Sequence, residues 1–454
     1  MRSLSAFFVR VFEYAMPDPY VFAVILTLVT ALLALVFAPH HGASALLGAW
    51  YKGIFDIFAF ALQMILILVT GYALASSRPI QRALTRLASV PRSTVAAMTV
   101  TFLTSALACW LNWGFGLVVA GLLAREIGRR MRIDFGWLVA AAYAGFIVWA
   151  SGLSSSIALA QASPGNKLNL VQSLTGAVLP LGETIFTRFN LVPVIVLLAV
   201  VPLLLRAVEP KGDEVLPLRQ AQGDTGVAQG DAGGGRDASG RGRAVTLGAR
   251  LDRAWVLNLA LVLGGGYYLV STWLAHGFSL DITSVIFVFF LLGLLLHGTP
   301  IAYVRAIDEA ARVTGPLLIQ YPLYGGIMGI MTGTGLAGVI AQWFVTFSTA
   351  ATLPFWSYVS SIVISLFVPS GGGHWAVQGP FVVPAAAKLG ASQAACAMAV
   401  AIGEEVANML QPFWCLPILA IAGIGLQRVM AFTAALFFVA FVIFGASLLL
   451  LVPH

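Results

Sequence analysis

The sequence predicts an all-α polytopic membrane protein built as an inverted repeat with two re-entrant hairpins and two broken helices. Three observations carry that prediction. Of 454 residues, 59% are hydrophobic and 9% charged, with a mean hydropathy of +0.93; a soluble chain needs far more charge to cover its surface, so lipid is the solvent for much of this one. Apolar runs of spanning length recur along the chain, and four apolar segments are interrupted by Gly, Ser, Asn or Glu. The interruptions fall in the same order in each half.

The net charge of +7 does not point to nucleic acid. The basic residues lie in short loops between apolar runs, not in a stripe interleaved with aromatics. Cys109, Cys396 and Cys415 sit in apolar stretches without C-x-x-C spacing, which suits packing and implies neither disulfide nor metal site.

Residues 1–19 place Arg2 and Arg10 among Phe7, Phe8, Val9, Val11 and Phe12, the pattern of an amphipathic segment on the cytoplasmic surface. A cleaved leader is the rival, but the apolar stretch from Tyr20 to Ala38 is longer than a leader's apolar region and is taken as the first span. Full spans, which need about 20 apolar residues, are expected over 20–38, 54–76, 136–162, 189–208, 255–275, 281–297, 314–347, 393–426 and 430–452.

Two further apolar segments fit that pattern poorly. Segment 94–124 is preceded by Arg78, Arg82, Arg86 and Arg92 and followed by Arg125, Arg129, Arg130 and Arg132, so both flanking loops are expected to be cytoplasmic. A segment with both ends on one side crosses an even number of times, and this one is too short for two full spans. A re-entrant hairpin with its tip at Asn112–Gly116 resolves the conflict, provided the tip is buried in protein or lines a wet cavity. Segment 355–387 repeats the form, with two apolar arms around Val368-Pro369-Ser370-Gly371-Gly372-Gly373-His374. With a cytoplasmic N-terminus, only Lys52, Lys167, Arg188 and Lys388 of the 25 Lys and Arg fall outside. Residues 209–252, rich in Gly, Gln, Asp and Arg, cannot build a core and read as a flexible cytoplasmic linker. It separates a first half over 20–208 from a connecting helix over 253–280 and a second half over 281–454.

Inverted repeats with discontinuous helices place their site where the breaks meet. The candidate ligands are therefore Asn112, Gly114 and Gly116 at the first tip; Ser151, Gly152, Ser154 and Ser155 in the first broken span; Ser370, Gly371, Gly372, Gly373 and His374 at the second tip; and Glu404, Asn408 and Gln411 in the second broken span. Broken helices expose amides that suit a carboxylate and carbonyls that suit a cation. Each feature has a plainer use: Gly and Ser permit close helix packing in membranes, and a buried His often just bonds a carbonyl. Two adjacent glutamates in a span are costly unless paired or facing a cavity; on one helix they point about 100° apart, so one is expected at the site. Asp56, near a span end, reads as interfacial.

Met16-Pro17-Asp18-Pro19, Asn112-Trp113-Gly114-Phe115-Gly116-Leu117-Val118-Val119 and Pro369-Ser370-Gly371-Gly372-Gly373-His374-Trp375 resemble the short-chain fatty acid transporter family of the AtoE type. So do Gln378-Gly379-Pro380-Phe381, Glu404, and Asn408-Met409 with Gln411-Pro412-Phe413-Trp414. The resemblance covers nearly all of the chain except 209–252. It implies uptake of acids such as butyrate or acetoacetate, no cofactor, and membership of a wider superfamily of ion transporters whose members resemble homodimeric elevators. At Glu405 the chain departs from the family, where an amide is associated with that position.

The residues themselves agree on substrate charge. No Arg or Lys lies at the four interruptions, so a small-molecule carboxylate would be held by amides, hydroxyls and Asn, which favours a monoanion with a short apolar tail. Trp113, Phe115 and Trp375 could flank that tail. A carrier for dicarboxylates or amino acids is the rival transporter, and a channel a further one. A membrane-embedded enzyme using His374 with Glu404 or Glu405 lacks any supporting H-E-x-x-H, G-x-S-x-G or Walker pattern. The coupling ion is H⁺ or Na⁺: oxygen-rich breaks suit Na⁺, whereas titratable Glu404, Glu405 and His374 and a weak-acid substrate suit H⁺. The expected setting is the lipid bilayer of a bacterial inner membrane.

Overall fold

The computed structural model describes residues 19–210, 217–218, 246–276, 278, 280–312, 314–366, 368–411 and 413–453. The expected surface segment before Pro19, most of the 209–252 linker, and Pro412 lie outside them. Among the described residues the regular structure is entirely helical.

The first half opens with α1 (Pro19–Phe37), then α2 (Ala43–Asp56) and α3 (Phe58–Ala75), which form one 33-residue apolar stretch. Lys52 pairs with Asp56 on the exposed side of α2. The basic loop is itself partly helical: α4 (Arg78–Leu87) starts behind Ser77 with Pro79 in its first turn and buries Leu84. Then come α5 (Thr94–Leu111), α6 (Trp113–Arg130), α7 (Phe135–Ala144) with a 3₁₀ turn at Gly145–Val148, α8 (Ser156–Ala162), α9 (Leu170–Thr175) and α10 (Arg188–Ala207). After α11 (Leu247–Leu251) and α12 (Trp255–His276), the second half runs α13 (Ile282–His297), α14 (Pro300–Ala311), α15 (Gly315–Gly333), α16 (Leu336–Phe347), α17 (Leu353–Ser365), α18 (Gly371–Leu389), α19 (Gln393–Ala407), α20 (Cys415–Ala422) and α21 (Gln427–Leu450).

Five helical stretches among the described residues are long and apolar enough to cross a bilayer: Ala43–Ala75, Thr94–Leu111, Arg188–Ala207, Trp255–Ala275 and Arg428–Leu450. The 314–347 region differs from the single span expected. It bends by 75° between α15 and α16, where Gly335 takes φ +81°, a left-handed conformation that glycine adopts at no steric cost. The 54–76 span likewise begins earlier, at Ala43.

Packing partners recur between the halves. Helices α1 and α2 pack on α15, while α13 and α14 pack on α3; α6 packs on α3 and α4 as α18 packs on α15 and α16; α5 packs on α7 as α17 packs on α19. One local device recurs as well. The Ser105 hydroxyl on α5 donates to the Ala142 carbonyl at 2.6 Å, and the Ser361 hydroxyl on α17 donates to the Val400 carbonyl at 2.6 Å. Three residues beyond each acceptor stands a glycine, Gly145 or Gly403, whose missing side chain leaves room for that serine.

The interior is formed by α7, α18 and α19. Every residue of α7 is buried, and α7 is apolar on all faces, as a helix surrounded by protein is. Nearly every residue of α18 and α19 is buried too, but these two carry His374, Gln378, Glu404 and Glu405 among their small and apolar residues. Cys109, Cys396 and Cys415 are buried and unbridged. Helix α12 is the opposite case. It packs on α13 and α14 and turns Tyr267, Tyr268 and Leu274 outward.

Candidate functional site

The two hairpin tips have nearly the same backbone. Asn112, between α5 and α6, has φ −156° and ψ 120°; Ser370, ahead of α18, has φ −157° and ψ 115°. Each starts a helix whose first amides lack intrahelical acceptors, and the two helices meet that need differently. Asn112 Oδ1 accepts the Phe115 amide at 2.9 Å, and Ser154 Oγ accepts the Trp113 amide at 2.9 Å. Ser370 makes no side-chain cap. The first tip is closed by Asn112 itself and by Ser154 from the first broken span, whereas the N-terminus of α18 has no such side-chain cap among the described residues.

Each tip is also pinned to the broken span of its own half. The Leu153 amide donates to the Trp110 carbonyl at 2.7 Å, with Gly152 against the Trp110 backbone. In the second half Trp414 Nε1 donates to the Pro369 carbonyl at 3.0 Å, and Gln411 Nε2 to Ser365 Oγ at 3.3 Å.

The two breaks are braced across the halves. Between the 3₁₀ turn and α8, the Ala150 and Ser151 amides donate to Glu405 Oε2 at 2.8 and 3.1 Å, and Ser151 Oγ donates to Glu405 Oε1 at 2.7 Å. Asn190 Nδ2 holds the Ser151 carbonyl at 3.0 Å. In return, the Tyr143 hydroxyl on α7 donates to the Asn408 carbonyl at 2.7 Å, at the start of the second break. Ser155 caps α8 through the Ala158 amide at 3.4 Å.

Glu404 has no such engagement. Its side chain is fully buried, yet neither carboxyl oxygen has a hydrogen-bond partner among the described residues. It lies at the open end of α18: a Cβ on Gly371 would sit 3.1 Å from Glu404 Oε2 and 3.1 Å from Cβ of Ser156, and would meet the Trp149 ring. Tyr321 packs on Phe60 nearby, and the buried Ser370 hydroxyl has no hydrogen-bond partner among the described residues. The second tip, the second broken helix and the start of α8 therefore converge on one buried carboxyl. Asn112 Nδ2, His374 Nδ1 and Asn408 Nδ2 are also buried without partners among the described residues.

The remaining candidates serve mainly to bring helices together. Gly114 lies against Leu68, Gly116 against Cys109, Gly372 against the Phe60 ring and Gly373 against the Tyr324 ring. His374 Nε2 is within hydrogen-bond distance of Gln378 Oε1 (2.6 Å) and Ser361 Oγ (3.2 Å), tying α18 to α17. Gln411 Nε2 also donates to Asn408 Oδ1 at 2.7 Å. Trp113 and Trp149 pack edge to face with centroids 6.3 Å apart, and Trp113 and Trp414 at 5.0 Å, whereas Trp375 Nε1 donates to the Leu168 carbonyl at 2.9 Å. Sequence reasoning passed over Tyr143, Asn190, Tyr321 and Phe60, aromatic or amide residues inside apolar runs. It also left the role of Glu405 open; the adjacency of two glutamates was the available signal that they divide two tasks.

Comparison with known proteins decides the class. The family model described as short chain fatty acid transporter matches residues 1–451. The chain belongs to the short-chain fatty acid transporter family. Two relatives are similar over their full length. A protein of Escherichia coli (strain K12) named for short-chain fatty acid transport is 40% identical over 449 residues, covering 98% of this chain and 99% of the relative. One of Haemophilus influenzae with the same name is 35% identical over 443 residues, covering 96% of each. Among solved structures, the Alcanivorax borkumensis YdaH transporter, whose crystal structure is described as having an unusual topology, matches with a TM-score of 0.57 at 16% identity over 95% of this chain and 98% of that one. That likeness concerns the fold alone. Family membership makes the chain a membrane transporter and removes the enzyme alternative.

Proposed function

We propose that this protein is a secondary active transporter that carries short-chain monocarboxylates of the butyrate or acetoacetate kind across the bacterial inner membrane by symport, working by alternating access of an inverted repeat. The observation that carries the proposal is the pairing of an uncapped helix N-terminus with an unpartnered carboxyl at one buried point. The open amides of α18 suit a substrate carboxylate, and Trp149 supplies an apolar wall. A substrate bound there lies beside Glu404, and two carboxylates cannot share a dry site unless a proton or a cation stands between them. Coupling then follows from electrostatics: the anion is tolerated only together with the coupling ion. H⁺ is the ion of choice because one proton on Glu404 removes the repulsion outright, with Na⁺ held between the carboxylates as the alternative.

The exchange of packing partners between α1–α8 and α13–α20 supports the repeat, and family resemblance supports a homodimeric elevator with a cytoplasmic N-terminus. Uptake by proteoliposomes of labelled butyrate, acetoacetate and succinate, each under an imposed pH or Na⁺ gradient, tests the proposal. Accumulation of the two monocarboxylates on a gradient is expected. Equal uptake of succinate, or butyrate entry that no gradient alters, would refute it.

A further inference from the structure

Away from the Glu404 site, a cleft of about 240 Å³ opens between α3, the loop after α8 and the start of α13. Ala59, Phe60 and Gln63 line it from α3, Asn166 and Lys167 from the loop, and Asp281 from the position preceding α13. Three features give the cleft a direction and a chemistry. Phe60, buried on α3, borders the cleft on one side; on the other its ring occupies the space left by the missing side chain of Gly372, in the first turn of α18. One aromatic ring thus separates the cleft from the helix end beside Glu404. Asn166 Nδ2 donates to Gln63 Oε1 at 3.3 Å, which fixes the loop against α3. Lys167 is exposed and forms no ion pair among the described residues, whereas Asp281 spends one carboxyl oxygen accepting the Ser284 amide at 2.7 Å.

We propose that this cleft is the outer vestibule of the transport path and selects by charge: Lys167 takes the carboxylate of a small monoanion, Ala59 and Phe60 take its apolar tail, and Asp281 repels a second carboxylate. The inference rests on the transport reading above. It adds a recruiting and selecting site that lacks any role at Glu404. The unpaired ammonium on one wall attracts a carboxylate, an attraction that salt screens, while the carboxylate across the same cleft penalises a dianion.

The test uses the full-length protein in proteoliposomes and in cells. Lys167→Gln is expected to raise the KM for butyrate roughly two- to fivefold with kcat unchanged, and the difference from wild type is expected to fade at high salt. In Lys167→Cys, a cationic methanethiosulfonate reagent added outside should restore the low KM and an anionic one raise it further; the native cysteines are all buried. Asp281→Asn keeps the helix cap, since Asn caps as well as Asp, and should make succinate a competitor. An unchanged KM in Lys167→Gln, the same effect from both reagents, labelling only from inside, or alanine competing better than butyrate would each overturn the vestibule. Those results, obtained with a wild-type protein that transports butyrate, leave the Glu404 reading standing. A wild-type protein that ignores monocarboxylates defeats both.

Discussion

Glu405, from the second half of the protein, closes the first helix break at Ser151. Glu405 Oε1 accepts the Ser151 hydroxyl at 2.7 Å, and Oε2 accepts the Ala150 and Ser151 amides. Substituting Glu405 by Ala would strand two amides and a hydroxyl in a buried site, and each unsatisfied group costs about 1–3 kcal/mol. Glu405→Ala is therefore expected to lower the Tm of the detergent-solubilised protein sharply, with Glu405→Gln between it and wild type. A Tm within error of wild type for Glu405→Ala would show that the break is held elsewhere.

The two hairpin tips should separate under the same substitution. Asn112→Ala removes a side-chain cap from α6 and is expected to cost about 1 kcal/mol, seen as a lower Tm. Ser370→Ala removes no cap, so its Tm should stay near wild type. It should instead raise the KM, because the unpartnered Ser370 hydroxyl stands at the open end of α18 beside Glu404. Tm and KM measured on both variants check the contrast, and an exchange of the two phenotypes would place the substrate at the first tip.

Much of this organisation is legible in the sequence because membrane chains punctuate themselves. Asn112 and Ser370 mark helix starts inside apolar runs that otherwise read as continuous, and the Ser151–Ser155 and Asn408–Gln411 clusters mark the breaks. Hydropathy could not show what each interruption does. The same small residue serves close packing and ligand approach equally well: Gly116 against Cys109 and Gly371 against Glu404 are indistinguishable until the neighbouring helix is in place. Nor could it show the bend at Gly335, because an apolar run keeps its hydropathy when it turns. Tyr143 and Glu405 lie far apart in the chain from the backbone groups they hold, and that separation hides such braces from any local pattern.

The charge pattern makes a prediction about sidedness. Single cysteines in place of Arg82, on the amphipathic α4, and Arg130, at the end of α6, should both be labelled from the cytoplasm, since basic loops are retained there. With α5 and α6 joined only through Asn112, shared sidedness requires a hairpin. Labelling of one position from outside would make 94–124 an ordinary span and remove the re-entrant tip.

Glu404 supplies the prediction about coupling. Its two oxygens have no partner among the described residues, so Glu404→Gln breaks no hydrogen bond in the resting protein and keeps the side chain's volume. Expression and Tm should be close to wild type, in contrast to Glu405→Ala. The amide cannot carry a proton, nor can it repel a bound carboxylate as an ionised Glu404 would. Binding should therefore become independent of pH: wild-type affinity should fall as pH rises and Glu404 ionises, while Glu404→Gln holds one affinity throughout. Exchange of internal for external butyrate, which needs no net proton movement, should survive. Accumulation driven by an inward pH gradient should be lost. If wild-type vesicles instead accumulate butyrate on a Na⁺ gradient with pH clamped and ignore imposed acidity, the proton assignment fails. Glu404 then becomes a cation ligand facing the α18 amides, and Glu404→Gln should show a raised Na⁺ requirement in the same assay.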